Sequence, residues 1–288
     1  MNMEKQLEQL SQSSLKTLLL SLYGVADNVD DIIDKYLSQA NIMSGSDAEI
    51  IDHYQQQLLQ IVNGHDVYEY FLAGDFAQQL ESLLDDFNNL VRPRIVTGAL
   101  SLTEQFIRLL DTAMTMVDDA DSEVGDIFAK SAQQWLAIAA EVRKEQPDYQ
   151  DWIATIRELY GKNEFGCLDD LFSQSRVLLT EEELFQIARQ LETEAQQALS
   201  ASHQEGLFKA ARACLALRGV AEALANVELM EKSFTLISPE PEDLEMAEII
   251  KFCLKVNATE RAQYWLNQSG WGRQHLHQQL TERLAVLS

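Results

Sequence analysis

A chain of 288 residues and 32.6 kDa with 46% hydrophobic residues holds enough apolar side chains for a sizeable core, which argues against disorder for its bulk. Its 12 glycines and 4 prolines fall well short of average usage, and an all-β fold needs turn residues roughly every eight to twelve positions, so the shortage points to helices. With 22 Lys+Arg against 46 Asp+Glu the formal net charge is −24, which opposes nucleic-acid phosphates and anionic membrane surfaces; a basic protein partner is allowed, and acidity by itself serves solubility.

Apolar residues recur at three- and four-residue spacing throughout, the signature of amphipathic helices. Leu15, Leu18, Leu19 and Leu22 form a first stripe closed by Gly24. Ile32, Ile33, Tyr36 and Leu37 follow an acidic start at Asp27–Asp31, which suits the positive end of a helix dipole. Ile50, Ile51, Tyr54, Leu58 and Ile61 make a third, opened by Ser46 with Glu49 at capping-box spacing and closed by Asn63-Gly64. Val67-Tyr68-Glu69-Tyr70-Phe71 is an aromatic cluster expected to pack between neighbouring helices. Phe76, Leu80, Leu83, Leu84, Phe87 and Leu90 then predict a longer helix that ends before Pro93. Leu102, Phe106, Leu109 and Ala113 share one face, and the acidic connection Asp118–Glu123 leads into Ile127, Ser131, Trp135, Ile138 and Val142, which stop at Pro147. Trp152 to Tyr160 forms a short helix before Gly161, and Thr180 with Glu183 is a strong start for the stripe Leu184, Ile187, Ala188, Leu191 and Ala195. Leu207 to Leu215 and Ala221 to Met230 read as two shorter helices. Ser238-Pro239-Glu240-Pro241-Glu242, with two of the four prolines, is the best linker. Leu244 to Leu254, Ala262 to Leu266 and Leu276 to Leu287 complete the sequence. No strand emerges, since alternation is absent and Arg94–Thr97 is too short and isolated to pair.

The charge is uneven. Residues 1–91 carry 3 basic and 15 acidic side chains and residues 92–200 carry 10 and 20, whereas residues 201–288 carry 9 and 11. The expected organisation is therefore an acidic helical array over 1–200, with helix pairs over 201–288 packed on it. Three cysteines, Cys167, Cys214 and Cys253, are far apart and in no Cys-x-x-Cys arrangement, which predicts free thiols. No basic and apolar leader opens the sequence and no apolar run approaches a membrane span, so the expected location is the cytoplasm.

Three features carry a family resemblance: the helix Phe76–Leu84, the acidic turn Val117–Phe128, and the stretch from Pro147-Asp148-Tyr149 through Leu159, Phe165-Gly166 and Asp169-Asp170-Leu171. Over Val67–Ala195 the sequence resembles an uncharacterised bacterial family of helical-repeat proteins, whose relatives sometimes occur with a SWIM-type zinc-finger region. Leu10–Leu22 looks like that family's first helix, and Asp243–Leu266 is similar to a tetratricopeptide-like helix pair with a turn near Asn257. The resemblance implies stacked helix pairs and no activity. The Cys/His pattern of the zinc finger is missing here, so no zinc role transfers.

Few residues offer chemistry. Asp119, Asp121 and Glu123 alternate like the start of a calcium loop, but Val124 stands where such a loop needs glycine and Lys130 where it needs a bidentate Glu. A helix cap outweighs a weak cation site there. His275 and His277 point about 200° apart on a helix, and His53, His65 and His203 lack a partner at ligand spacing. The nucleophile-elbow, phosphate-loop and dinucleotide-loop patterns are all absent from the sequence. Cys167 stands beside Asp169 and Asp170, which oppose a thiolate. Tyr264, Trp265, Trp271 and Arg273 cluster in the least acidic third and are the candidate partner-binding residues, since aromatics and Arg anchor interfaces; the competing reading puts Trp265 in the core.

The expected fold is therefore all-α, an irregular α-solenoid of antiparallel helix pairs of the tetratricopeptide or HEAT kind. The expected role is a non-catalytic protein-interaction scaffold that binds a protein or peptide without cofactor, metal, nucleic acid or membrane. The alternative is an enzyme without a familiar motif, or a small-ligand-binding protein with a site between helices.

Overall fold

The structure, a computed structural model, describes residues 10–63, 73–201, 204–268 and 270–287. The aromatic run 67–71, His65 and His203 lie outside these. The described residues are all-α, without a strand. Packing divides the protein into two compact units, Met1–Asn63 and Gly64–Ser288, so the charge boundary near residue 200 falls inside the second.

The first unit holds α1 (Gln12–Leu22), α2 (Asp27–Met43) and α3 (Asp47–Asn63). Ser11 Oγ caps α1 by accepting from Ser14 N at 3.1 Å. The expected capping box opens α3: Ser46 N donates to Glu49 Oε2 at 2.8 Å and Glu49 N donates back to Ser46 Oγ at 3.4 Å. No residue of α1 is buried, and the stripe Leu18, Leu19 and Leu22 is exposed.

The second unit begins with α4 (Ala73–Asp86), which widens into a π-helical turn at Phe87–Val91. There Arg92 N reaches back five residues to Phe87 O at 2.9 Å, and Pro93 ends the run. The face expected to run from Leu102 to Ala113 is broken: α5 (Val96–Ile107) and α6 (Leu110–Thr115) are separate. Residues 94–97, too isolated for a strand, feed α5. The longest helix, α7 (Glu123–Glu145), packs against both α4 and α5. Its face at Val124, Phe128, Ala132, Trp135 and Ala139 is buried at helical spacing. Phe106 joins Phe87 edge-on at 6.4 Å and lies tilted against Phe128 at 5.1 Å, and the enclosed Trp135 donates its Nε1–H to Glu104 Oε1 at 3.1 Å.

After α8 (Trp152–Tyr160) come a single turn, α9 (Asp170–Ser173), and a 3₁₀ turn at Ser175–Val177, neither anticipated from periodicity. Then follow α10 (Glu181–Ser200), α11 (Gln204–Leu224), α12 (Val227–Thr235), α13 (Asp243–Lys255), α14 (Thr259–Leu266) and α15 (Gln274–Leu287). The two short helices expected between Leu207 and Met230 are divided elsewhere. α11 runs without interruption to Leu224, and the break falls at Ala225, held at φ +50°, before Asn226 caps α12 through Leu229 N. Gly219 sits mid-helix for a packing reason: a Cβ there would lie 2.9 Å from Phe172 Cβ, so only glycine lets α9 lie against α11. α10 and α11 approach as closely at Gly206, where a Cβ would come within 2.4 Å of the Ala198 carbonyl oxygen.

Several of the scarce cations serve as ties between helices. Arg143 on α7 grips Glu183 of α10, Lys130 on α7 reaches Glu81 and Asp85 of α4, and Lys232 on α12 meets Glu192 of α10. Among the described residues no helix is long and apolar enough to cross a membrane.

Candidate functional site

The C-terminal candidates meet at a groove whose shape follows from the proline-rich segment. Pro239 and Pro241 have no N–H to give a helix, so the backbone bends at 239–240 and no helix resumes until α13 begins at Asp243, after the extended Glu242. Glu245 Oε2 accepts from Glu242 N at 2.9 Å and fixes that start. Asp243 Oδ2 accepts from Arg273 N at 3.0 Å, which ties the beginning of α13 to the segment that leads into α15. Between these two segments and α14 lies a groove of about 690 Å³, lined by Leu244 and Tyr264 together with the charged side chains of Glu240, Glu242 and Arg273. Leu244 is 50% and Tyr264 48% exposed.

The four candidate residues have distinct positions. Tyr264, Trp265 and Arg273 line the groove. Trp265 is only 7% exposed, and its Nε1–H donates to Glu231 Oε1 at 2.7 Å, so it forms the back wall as a core residue. Glu231 is held in turn by Arg261, whose guanidinium lies 4.5 Å from the Tyr264 ring centre. Tyr264 is thus braced from one side and open on the other. Trp271 does not line the groove; it packs edge-on against His277 at 5.4 Å. The groove adds two residues the aromatic cluster did not indicate, Glu240 and Glu242. Their signal was the linker itself: glutamates interleaved with prolines immediately before a helix.

The acidic turn is a helix start. Asp119 Oδ1 accepts from Val124 N and Oδ2 from Gly125 N, each at 2.9 Å, so both its oxygens serve the first turn of α7. Ser122 adopts φ +61° and makes no side-chain cap, so Asp119 does the capping from three residues further back. Asp121 and Glu123 are exposed, and among the described residues no group of three or more His, Cys, Asp or Glu side chains is placed to hold a metal. Beside this turn a cleft of about 480 Å³ separates α7 from residues 165–174, with Asp126, Asp169 and Asp170 around Cys167. Burial, reinforced by the charges of Asp119 and Asp169, pushes the Cys167 thiol above its ordinary pKa, the opposite of an activated nucleophile. Burial likewise raises Cys214 and Cys253 to about 11. All three cysteines are free thiols.

No family model matches the protein, and no curated protein or solved structure matches it either.

Proposed function

We propose that the protein is a non-catalytic interaction scaffold whose C-terminal groove takes an extended, basic segment of a partner protein. The observation that carries this reading is the convergence of Tyr264, Trp265 and Arg273 with residues 239–244 around one groove. Among its mostly polar lining, Leu244 and Tyr264 offer two half-exposed apolar surfaces on which an anchor side chain could rest. Glu240 and Glu242 are exposed at its edge in a protein of net charge −24, so Lys or Arg in the partner would be steered toward it. From α10 onward successive helices pack on one another, which supports reading this part as an irregular solenoid of helix pairs, in line with the helical-repeat resemblance. A cytoplasmic setting fits three free thiols.

The test is a library of fluorescein-labelled octapeptides of randomised sequence, read by fluorescence polarisation on the full-length protein. Selection should favour peptides that combine Lys or Arg with one apolar anchor. Binding should weaken about tenfold or more in Tyr264→Ala and in Glu240→Lys/Glu242→Lys, and fall with added salt. A library with no binder below about 100 µM, or binders indifferent to these changes, would refute the proposal.

A further inference from the structure

Another cavity, separate from the groove and from the cleft at Cys167, has the opposite electrical character. It opens between α10, α11 and the end of α8 and measures about 600 Å³, within the usual range of roughly 300–1,000 Å³ for small-molecule sites. Small side chains leave room for it: Ala198 and Ala201 at the end of α10 and Ala213 and Ala216 of α11 line it, and Tyr160 and Phe172 are part of its wall. Those two rings are tilted against one another at 4.8 Å and both are buried, so the wall is already packed from behind.

The rim carries Arg157, Lys209 and Arg212 against one carboxylate, Glu194. The groove and the cleft at Cys167 both carry an excess of carboxylates, so this cavity stands out in a protein of net −24. The three cations are not equivalent. Arg157 is engaged by Gln190 and Glu194, and Lys209 pairs with Glu205 in an exposed i,i+4 contact at 2.7 Å. Arg212 has only carbonyl partners among the described residues: its Nη2 donates to Gly161 O at 2.7 Å and more distantly to Tyr160 O at 3.5 Å. The remaining guanidinium edge of Arg212 meets no described carboxylate. Lys209 stands three residues before it on the same helix face.

We propose that this cavity binds a small organic anion, a carboxylate carried on an apolar stem. The carboxylate would sit between Arg212 and Lys209, where a guanidinium fork and an ammonium both donate. The stem would lie along the alanine floor beneath Tyr160 and Phe172, and burial of its methylene groups would supply the rest of the affinity. Such a carboxylate comes either from a free acid or from the C-terminus of a peptide.

Octanoate and N-acetyl-leucyl-leucine represent the two sources and are titrated into the ¹⁵N-labelled full-length protein, with octanol and octylamine as neutral and cationic controls. At least one of the two acids should saturate, with shifts centred on the amides of Ala213 and Ala216; the tighter one names the source. Octanol should bind at least about tenfold more weakly and octylamine not at all. Arg212→Gln should weaken the acid about tenfold or more. Lys209→Gln, at an exposed position that holds no backbone, should weaken it about threefold and keeps the test valid if the first variant misfolds. Failure of both acids to saturate by about 10 mM, octanol binding as tightly as octanoate, or variants that leave binding unchanged would each overturn the proposal. None of these outcomes bears on the groove at Tyr264.

Discussion

Arg143 on α7 should be among the costliest surface-side residues to remove. Its Nη1 and Nη2 meet Glu183 Oε2 and Oε1 at 2.9 and 2.8 Å, and Nη1 also donates to Leu178 O at 2.8 Å. A freely exposed ion pair contributes about 0–1 kcal/mol. Here the two side chains are only 22% and 24% exposed, the pairing is bidentate, and a backbone carbonyl depends on it as well. Arg143→Met keeps much of the stem's packing while leaving Glu183 and Leu178 O without this donor, so the expected loss is about 2–3 kcal/mol. Glu183 also closes the cap of α10 by accepting from Thr180 N at 2.8 Å. Glu183→Gln retains an acceptor for that bond and should cost about 1–2 kcal/mol.

Urea unfolding followed by circular dichroism at pH 7 measures both variants and their double mutant, and the cycle should return a coupling of about 1–2 kcal/mol. Burial works against the Glu183 carboxylate, but Arg143 and the Thr180 cap overcome it and hold the group below its usual pKa. A carboxyl depressed in the folded state stabilises fully above its unfolded pKa of about 4.3, and that contribution disappears as pH falls through the folded value. The penalty of Arg143→Met should therefore be full at pH 7 and should shrink below about pH 4. A coupling under about 0.5 kcal/mol, or a penalty equal at pH 7 and pH 3.5, would refute the reasoning.

Two backbone positions predict opposite signs. Gly219→Ala should lower stability by about 1–3 kcal/mol in thermal unfolding, although alanine is the better helix former by about 1 kcal/mol, because its Cβ would meet Phe172 at 2.9 Å; an unchanged or raised Tm would show that α9 yields freely. Ala225→Gly should raise stability by about 0.5–1.5 kcal/mol, since alanine is held at φ +50° where glycine rests without strain, and a lower Tm would contradict this.

The helical character of the protein was legible because its cues are local. The capping boxes at Ser46–Glu49 and Thr180–Glu183 occur where their three-residue spacing placed them. The boundaries that were misjudged depend on distant partners. The sequence reads as one helix to Leu215 and another from Ala221, yet α11 runs on to Leu224, and Gly219 within it makes room for Phe172, far away in the sequence. The single turn α9 is too short to display a period, and the split between α5 and α6 leaves the apolar spacing across it intact.

The candidate site divides in the same way. Composition marked residues 264–273 as aromatic and least acidic, and the prolines marked 238–242 as a linker. Sequence spacing had no means of joining them, because residues some thirty positions apart become neighbours only when Asp243 accepts from Arg273 N. Trp265 shows the limit most clearly: the same indole would serve a surface or a core, and its bond to Glu231 of α12 assigns it to the core. Helix content and charge are sums over neighbouring residues, so the sequence determined them by itself. Which small residues leave a cavity and which carboxylates find a cation depends on how helices pack, and only the tertiary structure decided that.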